Sequence, residues 1–260
     1  VARASGIRLK KKFGQNFLRD SNVTHHMIAA VDLNNQSSVF EIGCGDGFLT
    51  HAILEEPIAR LWVFEIDPEW AAYVQETIQD DRLHVYQKDF LAIDSALLEE
   101  HKPWTILANL PYNVSFPILH WLQQHRYLLK EGVVMVQEEV AQKITKTSGR
   151  GYGFPSLFFQ YFFTCKLLDK IPPSAFEPAP KVFSRLLYLK PKVNVSSIPD
   201  ERLFWDFIQK CFKQPRRTLR NNLHHLHYAL DNVPEETLQK RAQQLNMQDF
   251  IALWDVVRKK

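Results

Sequence analysis

Val39-Phe40-Glu41-Ile42-Gly43-Cys44-Gly45-Asp46-Gly47-Phe48-Leu49-Thr50 runs from an apolar strand, through three alternating glycines, into an amphipathic segment. Glycine permits a tight turn and lets a ligand lie against the backbone with no Cβ in between. The spacing is G-x-G-x-G rather than the G-x-G-x-x-G of pyrophosphate-binding turns, which points to a ligand without phosphates. Outward from this turn, short apolar runs alternate with helical stretches. Strands are expected at 39–43, 61–66, 83–87, 104–109 and 132–137, and helices at 48–55, 68–79 (Pro68 at the helix start) and 115–129. That alternation implies parallel strands joined by crossover helices, a doubly wound, Rossmann-like α/β fold.

After Lys190 the pattern changes. Residues 191–199 are polar and bounded by prolines, as a linker would be, and from Glu201 onward only helices are expected, at 203–212, 217–226, 235–245 and 248–257. The chain is therefore divided into a domain at 1–190 that carries a basic N-terminal arm and a small all-helical domain at 191–260.

The 260 residues are 45% hydrophobic and 23% charged, which excludes a disordered chain and leaves ample material for a core. The net charge of +3 hides an asymmetry. Residues 1–30 hold six Lys/Arg against one acid, residues 31–108 hold four against fifteen, and both later segments are basic again. Such a division suits a polyanionic partner. Cys44, Cys165 and Cys211 are widely spaced with no C-x-x-C pair, so neither zinc nor a disulfide framework is expected, and a reducing compartment is. No apolar run is long enough to span a bilayer, and the N-terminus lacks an apolar signal core. The expectation is a cytoplasmic protein without a membrane partner. The acid-free stretch 1–19 also suits the remnant of an organellar presequence, which keeps an organellar matrix open.

In an open parallel sheet, ligands bind at the carboxyl ends of the strands where the winding reverses, so the strand ends are read together. Gly43 and Gly45 belong to the first. The second ends Phe64-Glu65-Ile66-Asp67, where a carboxylate can accept from both hydroxyls of a ribose. Asp89, after the third, can accept an adenine amine, with Phe90 packed beside the ring. The fourth ends Asn109-Leu110-Pro111-Tyr112-Asn113. This turn resembles the motif by which methyltransferases acting on amino nitrogens hold their target, and an exocyclic amine on adenine is a poor nucleophile because its lone pair is delocalised into the ring. If the Asn109 side-chain oxygen and the Leu110 carbonyl accept its two N–H bonds, the nitrogen is held toward tetrahedral geometry. Pro111 stiffens the turn, and Tyr112 offers a face on which a base can stack.

Four motifs in order, Lys11-Lys12-Phe13-Gly14-Gln15-Asn16-Phe17-Leu18, 41–47, 109–112 and Phe176-Glu177-Pro178-Ala179-Pro180-Lys181-Val182-Phe183-Ser184, resemble those of the ribosomal RNA adenine dimethyltransferases. Cys211-Phe212-Lys213-Gln214-Pro215-Arg216-Arg217-Thr218-Leu219-Arg220-Asn221-Asn222-Leu223 resembles the C-terminal segment of the small-subunit (KsgA-type) branch, and Leu110 points the same way. The resemblance implies S-adenosylmethionine as methyl donor and two adjacent adenosines near the 3′ end of small-subunit rRNA as substrate, each dimethylated, with the pre-ribosomal small subunit as partner. It implies cofactor contacts from Gln15, Asn16, Leu18, Gly43, Gly45, Glu65, Ile66, Asp89, Phe90 and Asn109, and a target-holding role for Asn109, Leu110, Pro111 and Tyr112. Cys44 departs from the proline of many relatives, and Pro215 and Arg216 depart within the helical segment.

RNA contacts are expected from Lys11, Lys12 and Phe183, and from Lys213, Arg217 and Arg220, which on a continuous helix would share one face. A monomer is expected. His224, His225 and His227 lack a spaced acid or cysteine partner, so no metal is expected. Two other readings remain: a large-subunit (Erm-type) rRNA adenine dimethyltransferase, and a non-catalytic assembly or mitochondrial transcription factor of the same fold.

Overall fold

In the computed structural model, which describes residues 7, 10, 15–195, 197–226 and 228–258, the chain divides into two units. An α/β unit comprises the chain up to Ala141 with Thr164–Pro191, and a helical unit comprises Gln142–Phe163 with the chain from Lys192 on. The α/β unit opens with β1 (Phe17–Leu18) and α1 (Ser21–Ala29). It then alternates β2 (Ser38–Ile42), α2 (Phe48–Leu54), β3 (Arg60–Glu65), α3 (Pro68–Thr77), β4 (Leu83–Gln87), β5 (Trp104–Asn109), α4 (Ser115–Gln124) and β6 (Leu129–Gln137). After α5 (Glu138–Thr145) and α6 (Phe154–Phe162) come β7 (Phe163–Ile171), β8 (Phe176–Glu177) and β9 (Ser184–Pro191).

Seven strands form one sheet in the order β4-β3-β2-β5-β6-β9-β7, while β1 and β8 pair separately. β2 pairs in parallel with β3 on one side and β5 on the other, so the winding reverses between β2 and β5. This is the doubly wound α/β sheet expected from the sequence, with β9 antiparallel to β6. The central strands are apolar on both faces because both are covered by helices. Val39 joins a cluster with Leu49 and Ile53 of α2. Phe40, which points to the opposite face, stacks on Phe90 at 5.6 Å, and Phe90 meets Trp121 of α4 at 4.5 Å. Sequence-local signals start the crossover helices: Asp67 caps α3 by accepting from Glu69 N at 3.2 Å, and Pro68 occupies the first turn.

β1, β7, β8 and β9 are additions the sequence pattern did not predict. β1 and β8 are two residues each, and β7 is an edge strand in which Lys166, Asp169 and Lys170 interrupt the apolar pattern. The helix expected at 115–129 stops at Gln124, and a short 3₁₀ turn, Arg126–Leu128, leads into β6.

The helical unit contains α6, α7 (Glu201–Cys211), α8 (Leu219–Leu223), α9 (Glu235–Gln239) and α10 (Met247–Val257). Trp205 of α7 meets Phe154 and Phe158 of α6 at 6.1 and 5.0 Å, and Phe207 meets Trp254 of α10 at 5.4 Å. Aromatic contacts thus group 142–163 with the C-terminal helices, although in sequence they fall inside the expected 1–190 domain. The stretch read as a linker at 191–199 also belongs here: Ile198 is buried, and the Pro199 carbonyl accepts from Trp254 Nε1 at 2.8 Å.

Candidate active site

At the reversal of winding, the loops after β2, β3, β4 and β5 and the segment 15–18 enclose a cavity of about 350 Å³. Its floor is the glycine turn. Gly43, Gly45 and Gly47 all have positive φ, at 74°, 55° and 85°, so the chain can reverse before α2. A Cβ at Gly43 would meet no atom within 4 Å, whereas one at Gly45 would lie 2.5 Å from the ring of Phe17. Gly45 is therefore required for the closeness of the N-terminal segment, and Gly43 leaves backbone open beside the cavity.

Glu65 at the end of β3 is buried. Its Oε2 accepts from Gly45 N at 3.1 Å and its Oε1 from Asp67 N at 2.8 Å. Burial pushes its carboxyl above the ordinary range, with the two backbone N–H groups acting in the opposite sense. The backbone bonds fix the carboxylate; Oε1 keeps a free lone pair, while the second lone pair of Oε2 faces only the weak thiol donor Cys44 Sγ at 3.8 Å. Asp89 after β4 uses Oδ1 to accept from Leu91 N at 2.9 Å. Phe90 lines the cavity while serving the aromatic cluster with Phe40 and Trp121.

Asn109 ends β5, and its Nδ2 donates to the Asn16 carbonyl at 3.1 Å. This bond orients the side-chain amide, with Oδ1 as its acceptor. Leu110 N donates to Met135 O at 3.1 Å, and Ser115 Oγ donates to Pro111 O at 3.0 Å, so the turn is tied at both ends. The Tyr112 hydroxyl and Ser184 Oγ share a hydrogen bond of 2.6 Å.

The family model described as ribosomal RNA adenine dimethylase matches residues 6–256. The chain belongs to the ribosomal RNA adenine dimethylase family. A protein named ribosomal RNA small subunit methyltransferase A from Chlorobium phaeobacteroides is 36% identical over 253 residues, 97% of this chain and 92% of its own. The protein of that name from Laribacter hongkongensis is 34% identical over 250 residues, covering 94% of each chain. Among solved structures, a dimethyladenosine transferase from Plasmodium falciparum aligns with TM-score 0.76 at 24% identity, covering 91% of this chain and 95% of that one. The 23S rRNA methyltransferase ErmE aligns with TM-score 0.73 at 18% identity, covering 94% and 100%. These two likenesses establish a shared fold.

In this dimethylase all the residues expected to hold cofactor or target line the same cavity: Gln15, Asn16, Leu18, Gly43, Gly45, Glu65, Ile66, Asp89, Phe90 and Asn109–Tyr112. They fit S-adenosylmethionine on physical grounds. Gly43 presents backbone where a Cβ would meet nothing, and Glu65 is a buried, backbone-anchored acceptor that pairs with no lysine or arginine among the described residues. The sequence reading missed what fastens the N-terminal segment across the dimethylase cavity. Lys10 Nζ pairs with Asp67 at 2.6 Å, Gln15 Nε2 donates to the other Asp67 oxygen at 3.1 Å, and Arg19 pairs with Asp46 at 2.7 Å. These partners are dozens of residues apart in sequence or belong to different loops, so no local signal connects them.

The RNA-contact expectations fare differently. Lys11 and Lys12, with Phe13, Gly14 and His227, lie outside the described residues. Lys213, Arg217 and Arg220 do not share a helix face: α7 ends at Cys211, and α8 spans only Leu219–Leu223. Pro215 lacks the N–H needed to carry a helix through. Instead Asn222 holds the turn, accepting from Gln214 N at 3.1 Å and donating to Gln214 O at 3.2 Å. Of the three, only Arg220 is helical, and its guanidinium pairs with Glu235.

Two substitutions around the dimethylase cavity have distinct expected effects. Gly45→Ala forces the Phe17 ring away and should weaken S-adenosylmethionine binding roughly tenfold while costing about 1–3 kcal/mol of stability, as overpacking does; calorimetric titration and urea unfolding measure both. Glu41, fully buried with Thr50 Oγ1 donating to it at 2.7 Å, has its carboxyl pushed up to about 8 by burial. A carboxyl raised in the folded state makes the unfolded state the better acid, so stability is greatest below the ordinary value of 4.5 and falls as pH rises toward 8. The loss is on the order of 5 kcal/mol. Urea midpoints for Glu41→Gln should be flatter between pH 5 and 8.5 than those of the parent.

Proposed function

We propose that this chain transfers methyl groups from S-adenosylmethionine to the exocyclic amines of two adjacent adenosines near the 3′ end of small-subunit rRNA, giving dimethyladenosines, on the pre-ribosomal small subunit. The observation that carries the reading is the Asn109-Leu110-Pro111-Tyr112 turn, which lines the same cavity as Glu65 and Asp89. Residues suited to a nucleoside and residues suited to an amine are thus within one enclosure.

Glu65 accepts from the ribose hydroxyls, using lone pairs not taken by Gly45 N and Asp67 N. Asp89 accepts from the adenine amine of the cofactor with the oxygen that does not cap Leu91. S-adenosylmethionine, when bound, supplies a methyl group on a positively charged sulfur. Asn109 has its Nδ2 committed to Asn16 O, so its Oδ1 accepts one N–H of the target amine, and the Leu110 carbonyl accepts the other. Held this way, the nitrogen presents its lone pair to the methyl for in-line attack. Positioning supplies most of the acceleration. The Tyr112 ring, its hydroxyl fixed by Ser184, stacks against the target base. The amine becomes acidic only after transfer, so its proton can leave without a dedicated strong base. A second methylation requires the base to rotate or rebind with its remaining N–H on Asn109 or Leu110.

Phosphate contacts come from Lys11 and Lys12 and from Lys213, Arg217 and Arg220, now as a turn and helix start rather than one helix face. Among the described residues no helix is long and apolar enough to cross a membrane. The reading places a monomer in the cytoplasm, or in an organellar matrix, wherever small subunits assemble. The decisive experiment incubates the protein and labelled S-adenosylmethionine with undermethylated small subunits and, separately, with protein-free large-subunit rRNA, and maps the modified bases. Dimethyladenosines are expected in the small subunit. Labelling confined to large-subunit rRNA would overturn the small-subunit assignment, and labelling of neither would overturn catalysis.

A further inference from the structure

Where the chain enters β9, three consecutive residues have fixed partners. The Phe183 carbonyl accepts from Glu138 N at 3.0 Å, Ser184 Oγ meets the Tyr112 hydroxyl at 2.6 Å, and the Arg185 guanidinium makes a two-point pair with Glu138 at 2.6 and 2.8 Å. The backbone is thereby held, yet the Phe183 residue remains 44% exposed, beside an equally exposed Val182. Lys170 Nζ stands 4.3 Å from the Phe183 ring centroid. Lys166, four residues earlier in β7, stands instead over the Tyr188 ring at 5.6 Å, and Tyr188, five positions beyond Phe183, belongs to the other face of β9. Among the described residues no ion pair engages Lys166, Lys170 or the neighbouring Lys181, in contrast to Lys10, Lys102 and Lys130, which pair with acids.

A large aromatic side chain left in water gains the fold little by burial. Held rigid beside cations that no acid neutralises, and joined through Ser184 to the tyrosine of the target turn, it has the character of a nucleic-acid stacking site. A protein-binding patch of this kind would be apolar at its centre and depleted in lysine, whereas here lysines flank the ring.

Building on the dimethyltransferase reading above, we infer that Phe183 and Lys170 form a platform for the RNA nucleotide next to the target adenosine. The base stacks on the Phe183 ring, and Lys170 takes a phosphate of the strand leading away from it. Stacking of this kind tolerates any base, because every base has a π face. The platform therefore sets strand position rather than sequence.

The test uses the full chain and measures binding, without S-adenosylmethionine, to undermethylated small subunits and to protein-free small-subunit rRNA, followed by steady-state methylation of the subunits. Phe183→Ala should raise the half-saturating RNA concentration about tenfold on both substrates, with turnover at saturation and cofactor affinity unchanged, and Phe183→Tyr should restore it. The Lys170→Ala variant should reduce the slope of log affinity against log salt by roughly 0.7, the value for one single-strand phosphate that is no longer neutralised. Unchanged binding by Phe183→Ala overturns the platform. So does Phe183→Leu binding as tightly as the parent, since leucine keeps an apolar surface but no ring. A weakening seen only with assembled subunits assigns the patch to a ribosomal protein and overturns it as well. A parent protein that shows this binding behaviour but methylates no adenine in the subunits would overturn the functional reading alone.

Discussion

Asn109→Ala is expected to lower methyl transfer by roughly 10²–10³-fold, the loss typical of removing one preorganised polar group beside the reacting atoms. The side chain has two separable parts. Nδ2 donates to Asn16 O at 3.1 Å and so fastens the N-terminal segment, while Oδ1 is the proposed acceptor for the target amine. Alanine removes both. Asn109→Asp removes only the donor and sets a second acceptor oxygen against the Asn16 carbonyl, so it should disturb cofactor affinity more than alanine does relative to its effect on the chemical step. Single-turnover rates on undermethylated small subunits, with parallel calorimetric titration of S-adenosylmethionine, separate the two. Single-turnover methylation by Asn109→Ala within tenfold of the parent rate would remove Asn109 from the chemistry.

Glu65→Ala should weaken S-adenosylmethionine binding by at least about a hundredfold. Two hydrogen bonds from ribose hydroxyls to a charged acceptor contribute about 1.5–3 kcal/mol each, and the substitution also strands Gly45 N and Asp67 N, which now donate to the carboxylate. Glu65→Gln retains one acceptor oxygen but places an NH₂ against one of these donors, so a loss of roughly tenfold is expected, equivalent to one charged hydrogen bond. Because both variants disturb the glycine turn, unfolding midpoints should accompany the titrations. A ribose role requires that affinity for adenosine fall in parallel with affinity for the whole cofactor, and that methionine binding be spared.

The glycine turn, the acid at the end of β3 and the Asn-Leu-Pro-Tyr turn were legible because each is a local consequence of strand ends and of residue chemistry. Parallel strands with crossover helices leave a periodic signature, and the switch between β2 and β5 brings their carboxyl ends together whatever the details of the loops. The edge was less legible. β7 carries Lys166, Asp169 and Lys170 within its apolar run, so neither strand alternation nor a buried run stands out, and its identity depends on pairing with β9. The basic segment after α7 misled for a different reason. Lys213, Arg217 and Arg220 have helical spacing, but Pro215 and the Asn222 side chain convert the stretch into a turn.

The sequence by itself determined the α/β class and the strand-end residues that line the cavity, because these follow from hydrophobic period, turn chemistry and the functional groups that an amine and a ribose require; Gln15, Asn16 and Leu18, which line it too, were reached only through the family resemblance. Tertiary structure alone decided what holds those residues in place. Asp67 receives Lys10 and Gln15, Gly45 makes room for Phe17, Tyr112 is anchored on Ser184 seventy-two residues later, and 142–163 join the C-terminal helices through Trp205. Each of these joins side chains distant in sequence, which meet only when the sheet has set their positions, and no local pattern encodes it.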